Sequence, residues 1–117
     1  MIVPSQSVRI VIATQPVDFR KGHDGLAALV QSRLGLDPHS GVIVIFRAKR
    51  SDRIKILVWD GSGLVLIYKR LETSSFAWPR VRDGVMRLSR AQYEALFEGL
   101  EWRRVRSLPM ARPRAVE

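Results

Sequence analysis

The sequence predicts a single α+β domain: an antiparallel β-meander packed against one helix, with a second amphipathic helix near the C-terminus. Three observations predict it. Short β-branched runs recur along the first two thirds of the chain. A glycine-rich turn joins two of them at hairpin spacing. Two segments place apolar residues at helical spacing. The domain is expected over residues 1–102, followed by a basic, flexible tail over residues 103–117.

Val8 to Ala13 reads as a first strand, bounded by polar residues. After the connection Asp18-Phe19-Arg20-Lys21-Gly22, a helix fits from about Asp24 to Leu34. Leu26, Leu29, Val30 and Leu34 share one face, and Gly35 is placed to end it in the left-handed conformation. Val42 to Phe46 is a continuous apolar run, too short for a helix, so it reads as a strand covered on both faces. Ile54–Trp59 and Leu64–Leu71 flank Asp60-Gly61-Ser62-Gly63, a hairpin turn in which glycine tolerates positive φ. Residues 73–83 look irregular, and Val85 to Leu88 reads as a further short strand. Ser89-Arg90-Ala91-Gln92 is a capping box, and the helix it opens carries Tyr93, Leu96, Phe97 and Leu100 on one face. Two prolines, Pro109 and Pro113, argue against helix beyond it.

A chain of 117 residues with 46% hydrophobic residues is long and apolar enough for one hydrophobic core. It contains no cysteine, so disulfides and thiolate metal sites are excluded. No apolar stretch reaches transmembrane length, and the first residues lack the pattern of a secretory signal; a cytoplasmic protein without a membrane partner is expected. The charge is the unusual quantity. The net charge is +9, nearly all of it beyond residue 46, and 16 of the 20 basic residues are arginine. Arginine offers a planar fork suited to phosphate, and a surface this basic points to nucleic acid; a well-solvated surface is the simpler alternative.

The hairpin sharpens that expectation. With Asp60 facing Gly63, Val58 faces Val65 and Ile56 faces Ile67, giving an apolar face for the core. The opposite face pairs Trp59 with Leu64, Leu57 with Leu66, Lys55 with Tyr68 and Arg53 with Arg70. Its basic end, extended by Lys69 and by Arg47, Lys49 and Arg50 in the preceding loop, is a candidate anion-binding surface. Each arginine could instead snorkel to water or pair with an acid such as Glu72.

Catalytic signatures are weak. His23 and His39 lack metal-ligand spacing, there is no phosphate-binding glycine loop and no nucleophile elbow, and no cofactor is expected. Asp18, Asp52, Asp60 and Glu72 are the acids that could gather around a divalent metal, but turn and capping roles explain each more simply. No helix-turn-helix or zinc-finger pattern is visible, so base-specific readout is not expected. No catalytic or metal-binding residue is therefore assigned.

Asp18-Phe19-Arg20-Lys21-Gly22-His23-Asp24-Gly25-Leu26-Ala27-Ala28-Leu29-Val30 resembles a segment characteristic of the accessory proteins encoded by the second open reading frame of insertion sequence 66 elements, the TnpB family. The likeness continues through Leu36 to Gly41, Phe46 to Leu57, Trp59 to Gly63, Tyr68 to Glu72, Phe76 to Pro79 and Leu96 to Leu100, covering roughly residues 8–102. The resemblance implies a role in DNA transposition beside a separate transposase that performs the strand chemistry. DNA and that transposase are the expected partners. A metal-dependent nuclease is the remote alternative, and an adaptor that binds transposase without touching DNA the nearer one. Within the shared segment, Arg20 and Lys21 are candidate DNA contacts; Asp24 is expected to cap the helix, and Gly22 and Gly25 to serve backbone geometry.

Overall fold

The computed structural model describes residues 8–80 and 84–106. Five strands, β1 (Ile10–Ala13), β2 (Ile43–Arg47), β3 (Arg53–Trp59), β4 (Leu64–Arg70) and β5 (Val85–Leu88), form one sheet in the order β4-β3-β2-β1-β5. Two helices, α1 (His23–Ser32) and α2 (Arg90–Phe97), complete the α+β architecture. β2, β3 and β4 form the expected antiparallel run, but β1 lies parallel to β2, so the sheet is mixed. The chain reaches that arrangement because α1 and its connections carry it back across the sheet from β1 to β2. A parallel pair needs such a crossover. β5 then closes the other side by pairing antiparallel with β1.

Both faces of the sheet are covered. The face bearing Val11, Val44, Phe46 and Leu57 packs against Leu26 and Val30 of α1. The face bearing Ile10, Ile12, Ile45, Ile54, Ile56 and Val58 packs against Tyr93 and Leu96 of α2, together with Phe76, Trp78 and Trp102. The second helix is thus a full layer rather than a cap on one edge. The hairpin face ending in arginines is correspondingly only half a surface, since Leu57 and Leu66 lie under α1.

Local signals explain the boundaries. Gly35 adopts φ 65° after α1 while the Leu36 amide reaches back to the Val30 carbonyl, the left-handed stop expected there. Ser89 accepts from the Gln92 amide, and Gln92 returns the bond to the Ser89 amide, the expected capping box. At the hairpin tip Gly61 has φ 104°, and Asp60 Oδ1 accepts from the amides of Ser62 and Gly63. Asp24 does not cap α1. The N-cap is Gly22, without a side-chain bond, and Asp24 sits in the first turn, where a carboxylate favours the helix dipole. Gly25 permits a close approach: a Cβ there would lie 3.1 Å from Lys21 Cβ, so the lysine side chain would have to shift slightly.

Residues 103–106, expected to begin a tail, belong to the packed structure. Trp102–Arg104 form a 3₁₀ turn, Trp102 is 1% exposed, and its Nε1 donates to the Ala77 carbonyl. Gln92 Nε2 donates to the Val105 carbonyl, and Arg103 bonds the Trp78 carbonyl. Within the irregular segment before β5, Phe76 and Trp78 are likewise buried in the core. The remainder of the expected tail, residues 107–117, lies outside the described residues.

Candidate nucleic-acid interface

The candidate cations come together at one end of the sheet. That end holds the C-termini of β2 and β4 and the N-terminus of β3, because these neighbours run antiparallel. The hairpin register is the expected one: Arg53 faces Arg70, Lys55 faces Tyr68 and Leu57 faces Leu66. The loop between β2 and β3 is tied to the same end by bonds from the Leu71 amide to the Asp52 carbonyl and from the Phe76 amide to the Ser51 carbonyl. An open cleft of about 530 Å³ results, lined by Lys49, Arg50, Ser51 and Asp52 from the loop and by Leu71, Glu72, Thr73, Ser74 and Ser75 after β4.

The ten candidates divide by environment. Lys55 is buried. Its Nζ donates to the carbonyls of Phe19 (2.7 Å) and Lys21 (3.0 Å) and lies over the rings of Phe19 and Tyr68. A buried ammonium is tolerable only when its donors are satisfied, so Lys55 is a strut holding the Asp18–Gly22 connection onto β3, not a free cation. Lys69 has a similar role on the other face, donating to the Phe97 carbonyl at the end of α2 and lying over its ring. Arg47 stacks over Trp78, and partial burial lowers its pKa. Arg53 is half-buried. It donates to Tyr68 Oη at 3.1 Å, and its Nε faces Asp52 Oδ1 at 3.6 Å, an ion pair longer than a hydrogen bond between two atoms that have no other partner.

Arg20, Lys21, Lys49, Arg50 and Arg70 are exposed. Three of them have acidic neighbours. Arg20 holds Asp18 through a two-pronged contact, Arg50 lies 3.5 Å from Asp52, and Arg70 lies 3.6 Å from Glu72. Such pairs are weak in water, and each arginine retains donors that a phosphate can take. Tyr68 is half-exposed and packs edge-on against Phe19.

The four acids considered for a metal are dispersed in local roles. Asp18 is held by Arg20, Asp52 lies between Arg50 and Arg53, Asp60 belongs to the hairpin turn and Glu72 sits beside Arg70. Among the described residues, no group of three or more metal-ligating side chains converges, and no helix is long and apolar enough to cross a membrane. Hydrogen bonds from the Arg20 side chain and amide hold the Asp18 carboxyl down to about 2, and the Arg103 side chain does the same for Glu101. Depressed carboxyl values contribute stability above the unfolded values of 3.8 and 4.5, which is lost as pH falls toward about 2. Carbon-detected carboxyl titration by NMR should find both midpoints near 2, and Arg20→Gln should return Asp18 toward 3.8. An Asp18 midpoint unmoved by that change would show that Arg20 does not hold it.

The strut Lys55 and the anchors Trp78 and Trp102 were not legible as such in the sequence. A signal for Lys55 existed: one lysine inside Ile54-Lys55-Ile56-Leu57, a strand apolar on both faces, must either find partners or lose its charge.

Comparison with known proteins places the chain. A protein of Sinorhizobium fredii, y4jC, is 50% identical over 116 residues, 99% of each chain. A second from the same organism, y4hO, is 38% identical over 103 residues, covering 88% of this chain and 90% of its own. Both carry the description "uncharacterized protein". No solved structure matches. The model of the IS66 Orf2-like proteins matches residues 8–107, the whole sheet and both helices included, and the chain therefore belongs to the IS66 Orf2-like family, the TnpB proteins of insertion sequence 66 elements.

Proposed function

We propose that the protein is a non-catalytic accessory factor of DNA transposition that holds DNA by its phosphate backbone and assists a separate transposase. The observation that carries this reading is the gathering of cations from three separate chain segments at one end of the sheet. Arg20 and Lys21 come from the connection before α1, Lys49 and Arg50 from the β2–β3 loop, and Arg53 and Arg70 from the hairpin. The serine and threonine hydroxyls of the cleft add neutral donors of the kind that bind phosphate oxygens. Among the described residues both α-helices pack on the faces of the sheet and none projects as a recognition helix, so the contact is to the backbone and its sequence preference is weak. In this reading the protein is cytoplasmic and associates with the nucleoid when bound to DNA.

Binding to transposon-end DNA, followed by fluorescence anisotropy across a salt series, tests the reading. Affinity should fall steeply as salt rises, because each neutralised phosphate releases counterion. Flat salt dependence, or no binding at all beside tight binding to transposase, would favour the adaptor role instead.

The same reading predicts that the protein alone neither nicks nor joins DNA with magnesium or manganese. Metal-assisted phosphoryl transfer needs converging carboxylates, whereas Asp18, Asp52 and Glu72 each lie beside an arginine that competes with a cation for them. Incubation with supercoiled plasmid checks this. Metal-dependent nicking abolished by alanine at Asp18, Asp60 or Glu72 would overturn the non-catalytic reading.

A further inference from the structure

The sheet ends at β4 in an open edge. Asp60 donates to the Gly63 carbonyl and Leu71 to the Asp52 carbonyl, so the odd-numbered residues of β4 turn their backbone groups toward β3. The even-numbered ones, Leu64, Leu66, Tyr68 and Arg70, turn theirs outward. Among the described residues nothing bonds these outward groups. The pairing with β3 is unbroken over all seven residues, without a bulge or a proline. Edges are ordinarily blunted by such devices or by charge, and here charge appears only at one end: Leu64-Val65-Leu66-Ile67 is apolar, while Lys69-Arg70 is basic.

We propose that this edge receives an extended segment of a partner protein, added as a sixth, antiparallel strand whose N-terminal end is acidic and whose following residues are alternately apolar. The gradient along β4 sets that chemistry. Residues opposite Leu64 and Leu66 join the apolar layer under α1, to which both leucines already belong. An acid opposite Arg70 lies beside the Arg53–Arg70 pair, where two like charges face each other across the ladder. A second copy of this chain fits poorly. Antiparallel pairing of β4 with itself sets each basic end against an apolar one, parallel pairing sets arginine against arginine, and both bring two chains of net charge +9 together. Residues 107–117 fit poorly too: their charges are Arg112 and Arg114 with a single acid, Glu117, at the far C-terminal end, and Pro109 and Pro113 interrupt them. The transposase of the same element is the first protein to search for such a segment. Main-chain bonds supply the affinity in this mode of recognition and the alternate side chains its specificity.

The experiment uses the full chain and a fluorescent synthetic peptide of about ten residues, two glutamates followed by alternating valine and threonine. Hydrogen exchange of the free protein should show fast amides at Leu66, Tyr68 and Arg70 and slow ones at Val65, Ile67 and Lys69, with the fast set slowed by the peptide. Leu66→Pro removes an outward amide and no bond to β3. It should weaken peptide binding at least about tenfold and leave DNA binding unchanged, which separates this surface from the basic end. Should that variant fail to fold, the same peptide N-methylated at alternate residues tests the edge on the unaltered protein and should not bind. No binding by the wild-type protein, or binding indifferent to both changes, overturns the proposal. Self-association lost on Leu66→Pro would overturn it by placing a second copy on the edge.

Discussion

Replacing Lys49, Arg50 and Arg70 together with glutamine is expected to lower DNA affinity about a hundredfold near physiological salt and to reduce the salt slope by roughly two to three units. The fold should be nearly untouched. All three side chains are exposed, and their acidic neighbours Asp52 and Glu72 lie at 3.5 Å and 3.6 Å, separations at which a surface pair contributes little. Unfolding free energy should change by no more than about 1 kcal/mol. Arg53 is a poor probe of the same surface, although it faces Arg70. Its removal would strip the hydrogen bond from Tyr68 and leave Asp52 Oδ1 buried without its cation, so a lost function could reflect a lost local structure. Anisotropy across a salt series measures both affinity and slope, and an unchanged slope in a folded triple variant would remove this end of the sheet from the DNA contact.

Trp102→Ala should cost about 4 kcal/mol of stability, the largest effect expected of any single side chain here. Trp102 is the largest of the fully buried side chains and fills the α2 face of the core beside Phe76, Trp78 and Tyr93. Its removal leaves a cavity and withdraws the indole N–H from the Ala77 carbonyl. Truncation after Glu101 should be at least as damaging, because it also removes Arg103 from the Trp78 carbonyl and Val105 from Gln92. Truncation after Arg106 should retain cooperative unfolding. Urea denaturation of the three variants distinguishes these outcomes, and a Trp102→Ala variant within about 1 kcal/mol of wild type would show that the tryptophan is dispensable.

The contrast between Trp102 and the residues just after it shows where sequence patterning stops being informative. Apolar periodicity ends at Leu100, and nothing local distinguishes a tryptophan that folds back onto the core from one that begins a tail. The bond to Ala77 spans 25 residues, and only the position of the preceding loop makes it possible. Lys55 is the same case with opposite chemistry. A basic residue on a face that ends in arginines reads as surface, but the carbonyls of Phe19 and Lys21, more than thirty residues away, take its ammonium out of solvent.

What the sequence determined by itself is what short-range physics controls. The capping box at Ser89, the left-handed stop at Gly35, the Asp60–Gly63 turn and the register that turn imposes on the hairpin all follow from residues within a few positions of one another. The family likeness was also legible, because its motifs are runs of consecutive residues. The tertiary structure decided the rest. β1 lies parallel to β2 because α1 carries the chain across one face, so the sheet is mixed and α2 must cover the other face. That second covering layer draws in Trp78 and Trp102 and turns Lys69 into a strut, as the connection before α1 does for Lys55 on the opposite face. The exposed members of the candidate set are thereby reduced to Arg20, Lys21, Lys49, Arg50 and Arg70, and β4 is left as an open edge. These outcomes depend on which distant segments come to lie side by side, and strands pair across any separation in sequence that the connections permit.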